Sequence, residues 1–196
     1  MVNPHGPSQG DSRLINLVGA AALGLSDSTV GDVAFANGLD ASAAAALVGL
    51  LDLARSSSVQ RLSQFIGVTH SGAVRLVNRL ADAGLVERTP GTDARTLAVK
   101  LTRRGQTVAR RIRGERHAAI EAALAGLTER ERKALGAICD VVIANLTSAR
   151  LAVRSDGGHP SGGALCRMCD PVGCGRPDGT CPAARTAAAS GQARPS

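Results

Sequence analysis

The chain has 196 residues, long enough for one domain with a proper core plus appended tails, and carries a formal net charge of +7. Its cations are arginines except for Lys100 and Lys133, and guanidinium forks suit phosphates and guanine edges, although a GC-rich coding sequence enriches arginine as well. Two phenylalanines with no Trp or Tyr argue against single-strand binding by base stacking. Uninterrupted apolar runs fall short of the roughly 18 residues of a membrane span. Residues 1–10 lack a secretory pattern. These readings imply no membrane partner and a cytoplasmic, reducing setting in which the cysteines are not structural disulfides.

After an arm at 1–10, Leu14, Leu17, Val18, Ala21 and Ala22 recur at helical spacing and predict a long first helix from Asp11 to about Ala36. Gly38 stops it, and Asp40 is placed to cap a second helix through Ala54. Ser58 caps a third helix and Thr69 a fourth. Strands at 85–89 and 96–102 flank the turn signal Pro90-Gly91. An arginine-rich helix follows over 103–126. Thr128-Glu-Arg-Glu131 is a capping box opening a last helix to about 151. Its Leu135, Ile138, Val142 and Leu146 form an apolar stripe, expected to pair with the first helix of another subunit. Cys139, among apolar neighbours, is expected to be a small core residue. The fold class is mainly α with a small β-wing. One domain spans 11–153, with a reading lobe at about 40–102 between dimerisation helices at about 11–37 and 103–151. A linker at 154–165, a cysteine-rich segment at 166–182 and a disordered tail at 183–196 complete the chain.

On a helical wheel over 70–83, Ala73, Leu76, Val77 and Leu80 gather on one side, and Ser71, Arg75, Asn78 and Asp82 on the other. The first set is suited to burial. Ser71, Arg75 and Asn78 are of types that hydrogen-bond base edges in a major groove. His70 at the helix start and Arg79 on its flank suit phosphates. Taken alone this is an ordinary amphipathic helix with a solvated face; the following basic hairpin favours DNA. Arg95 at the hairpin tip can enter a minor groove, with Asp93 holding its base. Ser58, Thr69 and Arg88 complete the candidate set. The partner read from this order of elements is double-stranded DNA.

The stretch Asp93-x-Arg95-x-x-x-Val99-x-Leu101-Thr102-x-x-Gly105 resembles the wing pattern of the MarR (multiple antibiotic resistance regulator) family of winged-helix transcription factors. Gly67-Val68-Thr69, Arg75-Leu-Val-x-Arg79-Leu80 and Gly84-Leu85-Val86-x-Arg88 resemble its recognition helix and wing entry. The resemblance covers about residues 12–150. It implies a homodimer joined by first and last helices, repression from a palindromic operator, Arg95 in the minor groove, and Ser71 and Arg75 in the major groove. It also implies a small-molecule effector between the dimer and DNA-binding lobes. His70 and Gly72 depart from the family's usual residues, so base preference does not carry over.

Cys166-x2-Cys169-x4-Cys174-x6-Cys181 is not part of that family pattern. The intervening prolines and glycines prevent a regular helix and let the backbone wrap a centre. Four soft thiolates satisfy tetrahedral Zn2+ or an iron–sulfur cluster, and a metal-free thiol switch is the third reading. The spacing leaves all three open. A rival function is a redox or electron-transfer protein whose cysteines are the working centre and whose winged helix mediates protein contacts. With no Ser-His-Asp group, paired carboxylates or phosphate-cradling loop, enzymatic hydrolysis and nucleotide chemistry are not expected.

Overall fold

The computed structural model describes residues 9–90, 97–158 and 162–191. Helix α3 (Ala41–Leu51) contains no charged residue, so none of its faces meets water without cost, and every residue from Ala43 to Leu51 is buried. Asp40 caps it, accepting a 2.8 Å hydrogen bond from the Ala43 N–H. The helix ends at Leu51, short of the expected Ala54, because the chain turns at Asp52 (φ −135°) and passes through Ser56 at φ +50°.

Around α3 lie α4 (Val59–Ile66), α5 (His70–Asp82) and α6 (Arg103–Ala123). Leu62 and Ile66 of α4, Leu76, Val77 and Leu80 of α5, and Ala109 and Ile112 of α6 share one buried cluster with Leu47 and Leu50. Gly49 of α3 lets Phe65 approach closely: a Cβ there would lie 2.2 Å from the Phe65 ring. The wing strands β2 (Val86–Pro90) and β3 (Leu97–Leu101) pair antiparallel, Arg88 opposite Val99, with Pro90 at an edge where its missing N–H does no harm. A two-residue strand β1 (Ser57–Ser58) pairs with the other side of β3, making three strands in the order β1-β3-β2. Sequence periodicity could not reveal so short a strand.

The N-terminal rod begins as α1 (Gln9–Ser26), widens into a π-helical segment over Asp27–Asp32, and ends as α2 (Val33–Ala36). The long helix α7 (Glu129–Ser155) opens with the anticipated capping box: the Glu131 N–H donates to Thr128 Oγ1, and the Thr128 N–H donates to the Glu131 carboxylate at 2.8 Å. Leu14, Leu17 and Val18 of α1 and Ile138, Val142 and Leu146 of α7 are exposed. Cys139 is exposed with them rather than in a core, since no element of the described chain covers that face of α7. The stretches Gly10–Ala36 and Glu129–Ser155 are, by length and composition, apolar enough to cross a bilayer, which counting uninterrupted runs missed.

Beyond α7 the chain folds back as turns over 162–180 and ends in α8 (Pro182–Ala189), which packs on α7. A helix thus replaces the disorder expected from residue 183 as far as Ala189, residues 192–196 of that expectation lying outside the described residues; Pro182 starts the helix at a position where its absent N–H is harmless.

Two glycines of α6 should respond to alanine with opposite signs. At Gly105 a Cβ would stand 1.9 Å from the Leu85 carbonyl oxygen, so Gly105→Ala should cost about 1–3 kcal/mol by overpacking. Around Gly114 nothing lies within 4 Å, and Gly114→Ala should stabilise by about 0.5–1 kcal/mol. Urea unfolding midpoints of the two variants decide both.

Candidate nucleic-acid interface

A left-handed Gly67 (φ +77°) closes α4 and turns the chain into α5, with the Gly67 and Val68 N–H groups both donating to the Ser63 carbonyl. Ser58 caps α4 through the Arg61 N–H (3.2 Å), and Thr69 caps α5 through the Gly72 N–H (3.1 Å). Ala73, Leu76, Val77 and Leu80 are buried, as the wheel indicates, and His70, Ser71, Arg75, Asn78, Arg79 and Asp82 are exposed. One side of α5 therefore presents Ser71, Arg75 and Asn78 outward. Thr69 Oγ1 lies 3.3 Å from Ser71 Oγ, so the two hydroxyls share a hydrogen bond at the helix entrance.

Two candidate side chains also have internal partners. The Arg79 guanidinium forms a 2.7 Å ion pair with Asp40, the cap of α3. Arg88, on β2, donates to the side-chain carbonyl of Asn78 and so ties the wing to the reading helix. Asp93 and Arg95 lie outside the described residues. Sequence reasoning missed Asp40 as a partner of this surface, because nothing local signals a contact 39 residues away.

Arginines of α6 also have partners within the chain. Arg111 donates to Asn37 at 2.7 Å, and Arg113 pairs with Asp52 at 2.7 Å and Asp170 at 3.6 Å. Between α3, β3 and α6 is a cleft lined by Leu50, Leu51, Arg55, Lys100, Leu101 and Arg110.

The four C-terminal cysteines line a second, small cavity together with Leu53, Pro171 and Arg176. Cys181 is buried and the other three are half-buried, all as free thiols. Tight turns wrap them: the Cys169 N–H donates to the Cys166 carbonyl (2.9 Å) and the Cys174 N–H to the Asp170 carbonyl (3.0 Å). Cys166 lies close enough to Cys169, and Cys174 to Cys181, for the thiols of each pair to act on one another. Neighbouring Cys166 holds the Cys169 thiol down to about 6, with Arg116 and Arg167 assisting; Cys166 is correspondingly pushed up. Burial and neighbouring Cys181 raise Cys174 to about 11. Among the described residues no group of three or more His, Cys, Asp or Glu side chains is placed so that it could hold a metal ion as it stands.

Residues 38–96 match the model of the MarR family. The fold is MarR-like. The MarR family regulator Sco3205 of Streptomyces coelicolor, solved in complex with DNA, is 25% identical with a TM-score of 0.58 over 74% of this chain and 93% of its own. A MarR family protein of Bacillus stearothermophilus reaches a TM-score of 0.64 at 18% identity, covering 73% and 99% of the two chains. A putative MarR family regulator of Listeria monocytogenes, complexed with a 26mer DNA, gives 0.56 at 20% identity over 75% and 97%. These last two likenesses concern the fold. No curated protein matches. The matched family segment holds α3 to the wing, which is the surface described above; MarR-family proteins are regulators of transcription, not enzymes.

The Asp40–Arg79 pair makes a pH prediction. Burial pulls the Asp40 carboxyl upward, but hydrogen bonds from the Ala43 N–H and Arg79, with the arginine's charge, outweigh it and hold the group below its ordinary value. A carboxyl depressed in the folded state stabilises above the ordinary range, about 3.9, and loses that contribution as pH falls through the folded value. Asp40→Asn should therefore be less stable than wild type at pH 7, by less than about 1 kcal/mol because the pair is half exposed. The gap should narrow in urea melts as pH falls below the ordinary carboxyl range, and a gap that stays constant through that fall removes the charge as its source.

Proposed function

We propose that this chain is a homodimeric, sequence-specific DNA-binding transcriptional regulator that represses from a palindromic operator. The observation that carries the reading is the outward face of α5, where Ser71, Arg75 and Asn78 stand exposed on a helix whose opposite face is locked into the core. Ser71 and Arg75 read base edges in the major groove, Arg75 being suited to guanine, and Asn78 does so while held by Arg88. Thr69, His70 and Ser58 lie at helix starts, where N–H groups and hydroxyls meet phosphate, and Arg79 contributes charge beside them. Arg95, steadied by Asp93, enters the flanking minor groove. Such a protein works in the cytoplasm, where the DNA is.

The second subunit covers the apolar faces of α1 and α7. Leu14, Leu17, Val18, Ile138, Val142 and Leu146 are too many exposed large apolar side chains for a solvated surface, and both helices flank the reading lobe rather than forming part of it. A small-molecule effector fits the cleft between α3, β3 and α6, whose lining of leucines with Arg55, Lys100 and Arg110 suits an amphipathic anion.

Gel shifts across a salt series with fragments of the chain's own promoter test the reading. Arg75→Ala should relax preference at one operator position by about 1–3 kcal/mol, and Arg95→Ala should weaken binding to all sequences and lower the salt slope by about one. Equal binding by wild type and Arg95→Ala throughout the series overturns the wing contact. Leu146→Asp should shift sedimentation from dimer to monomer without unfolding, since Leu146 is exposed in the single chain.

A further inference from the structure

The cysteine-rich segment is docked rather than trailing. The Ala164 N–H donates to the Phe65 carbonyl at the end of α4 (2.8 Å), and Arg150 of α7 donates to the Gly163 carbonyl (2.6 Å). Gly163 lies directly on Gly67, the turn between α4 and α5: a Cβ on Gly67 would stand 2.2 Å from the Gly163 nitrogen. Asp170 reaches Arg113 of α6, Met168 is buried in the main core, and α8 packs on α7. The thiol-lined cavity therefore sits where the reading lobe meets the long C-terminal helix.

We propose that Cys166, Cys169, Cys174 and Cys181 bind a single Zn2+ ion, and that this ion clamps the helix-turn-helix turn to α7. Four lines of geometry carry it. All four cysteines line one small cavity, together with Leu53 and Pro171, and a modest closing of their side chains would bring the sulfurs around a single ion. Two thiol pairs already lie close enough to act on one another, and a tetrahedron with Zn–S bonds of about 2.3 Å needs sulfurs only about 3.8 Å apart. An iron–sulfur cluster spreads its four thiolates over two or four irons with sulfide between them, which asks for a larger interior. Finally, Arg176 lines the cavity, and Arg116 and Arg167 are near enough to act on Cys169, so a tetrathiolate centre of net charge −2 has guanidinium neighbours. Binding is an exchange without redox change: four Zn–S bonds form and the thiol protons leave to solvent. The segment between Ala164 and Cys181 is too short to bury much surface of its own, so the ion supplies the rigidity that holds Gly163 on the turn.

The effect of the clamp on DNA rests on the proposed operator binding, and the metal site does not. Elemental analysis of the full-length protein, purified anaerobically, should give one zinc per chain. Replacement with Co2+ should give the visible bands of a tetrahedral thiolate site. Cys174→Ser, at a half-buried position, should reduce zinc retention against a chromophoric chelator, and Cys139→Ser should leave it unchanged. Chelation should expose the stretch 162–181 to limited proteolysis and lower operator affinity by about tenfold. Iron with acid-labile sulfide, or no retained metal after zinc titration, overturns the site. Identical proteolysis patterns with and without zinc overturn the clamp. Zinc binding with metal-dependent protease protection, but no operator binding by any form, would sustain the site and clamp while sinking the DNA reading.

Discussion

A helix without a charge has to be surrounded, and α3 sets the arrangement of the reading lobe. Helices α4, α5 and α6 each give one apolar stripe to it, and the remaining face of each is left for other work. For α5 that remaining face carries Ser71, Arg75 and Asn78. Burial of Leu76, Val77 and Leu80 fixes the rotation of α5 about its own axis, so the direction in which those polar side chains point is a consequence of core packing. The small residues of α3 let neighbours come close, as Phe65 does over Gly49.

The second organising influence is how the arginines are used. An excess of positive charge suggests a uniformly phosphate-seeking surface, but Arg113 bridges α6 to Asp52 and Asp170, Arg111 holds Asn37, Arg150 holds Gly163, and Arg79 holds Asp40. These side chains join elements whose apolar contact alone would leave their relative tilt loose. Exposed pairs of this kind contribute little to stability. Their value is positional: the planar, forked guanidinium offers several N–H donors at fixed angles within one plane.

Much of this was legible in the chain itself. The caps at Asp40, Ser58, Thr69 and Thr128, and the inward and outward sets of α5, depend on residues within a few positions of one another, and the structure places them as local spacing implies. What escaped was non-local or too short for periodicity: the two-residue strand β1, the Asp40–Arg79 and Asn78–Arg88 contacts, and the docking of the C-terminal segment. Cys139 was misplaced because apolar neighbours along a helix say nothing about whether another element lies over them. The alanine-rich stretch after Cys181 reads as a disordered tail, yet Pro182 starts a helix there and α7 gives it something to lie against.

Where Gly163 crosses Gly67, two backbones touch with no side chain between them, and both residues hold left-handed angles. An ordinary interface can drift, since a larger group on one side is answered by a smaller one opposite. This crossing has no such latitude, as each partner is already at the minimum. It can be kept whole or abandoned, with no intermediate settings, so a methyl group on either glycine would lever the C-terminal appendage off the turn beneath it.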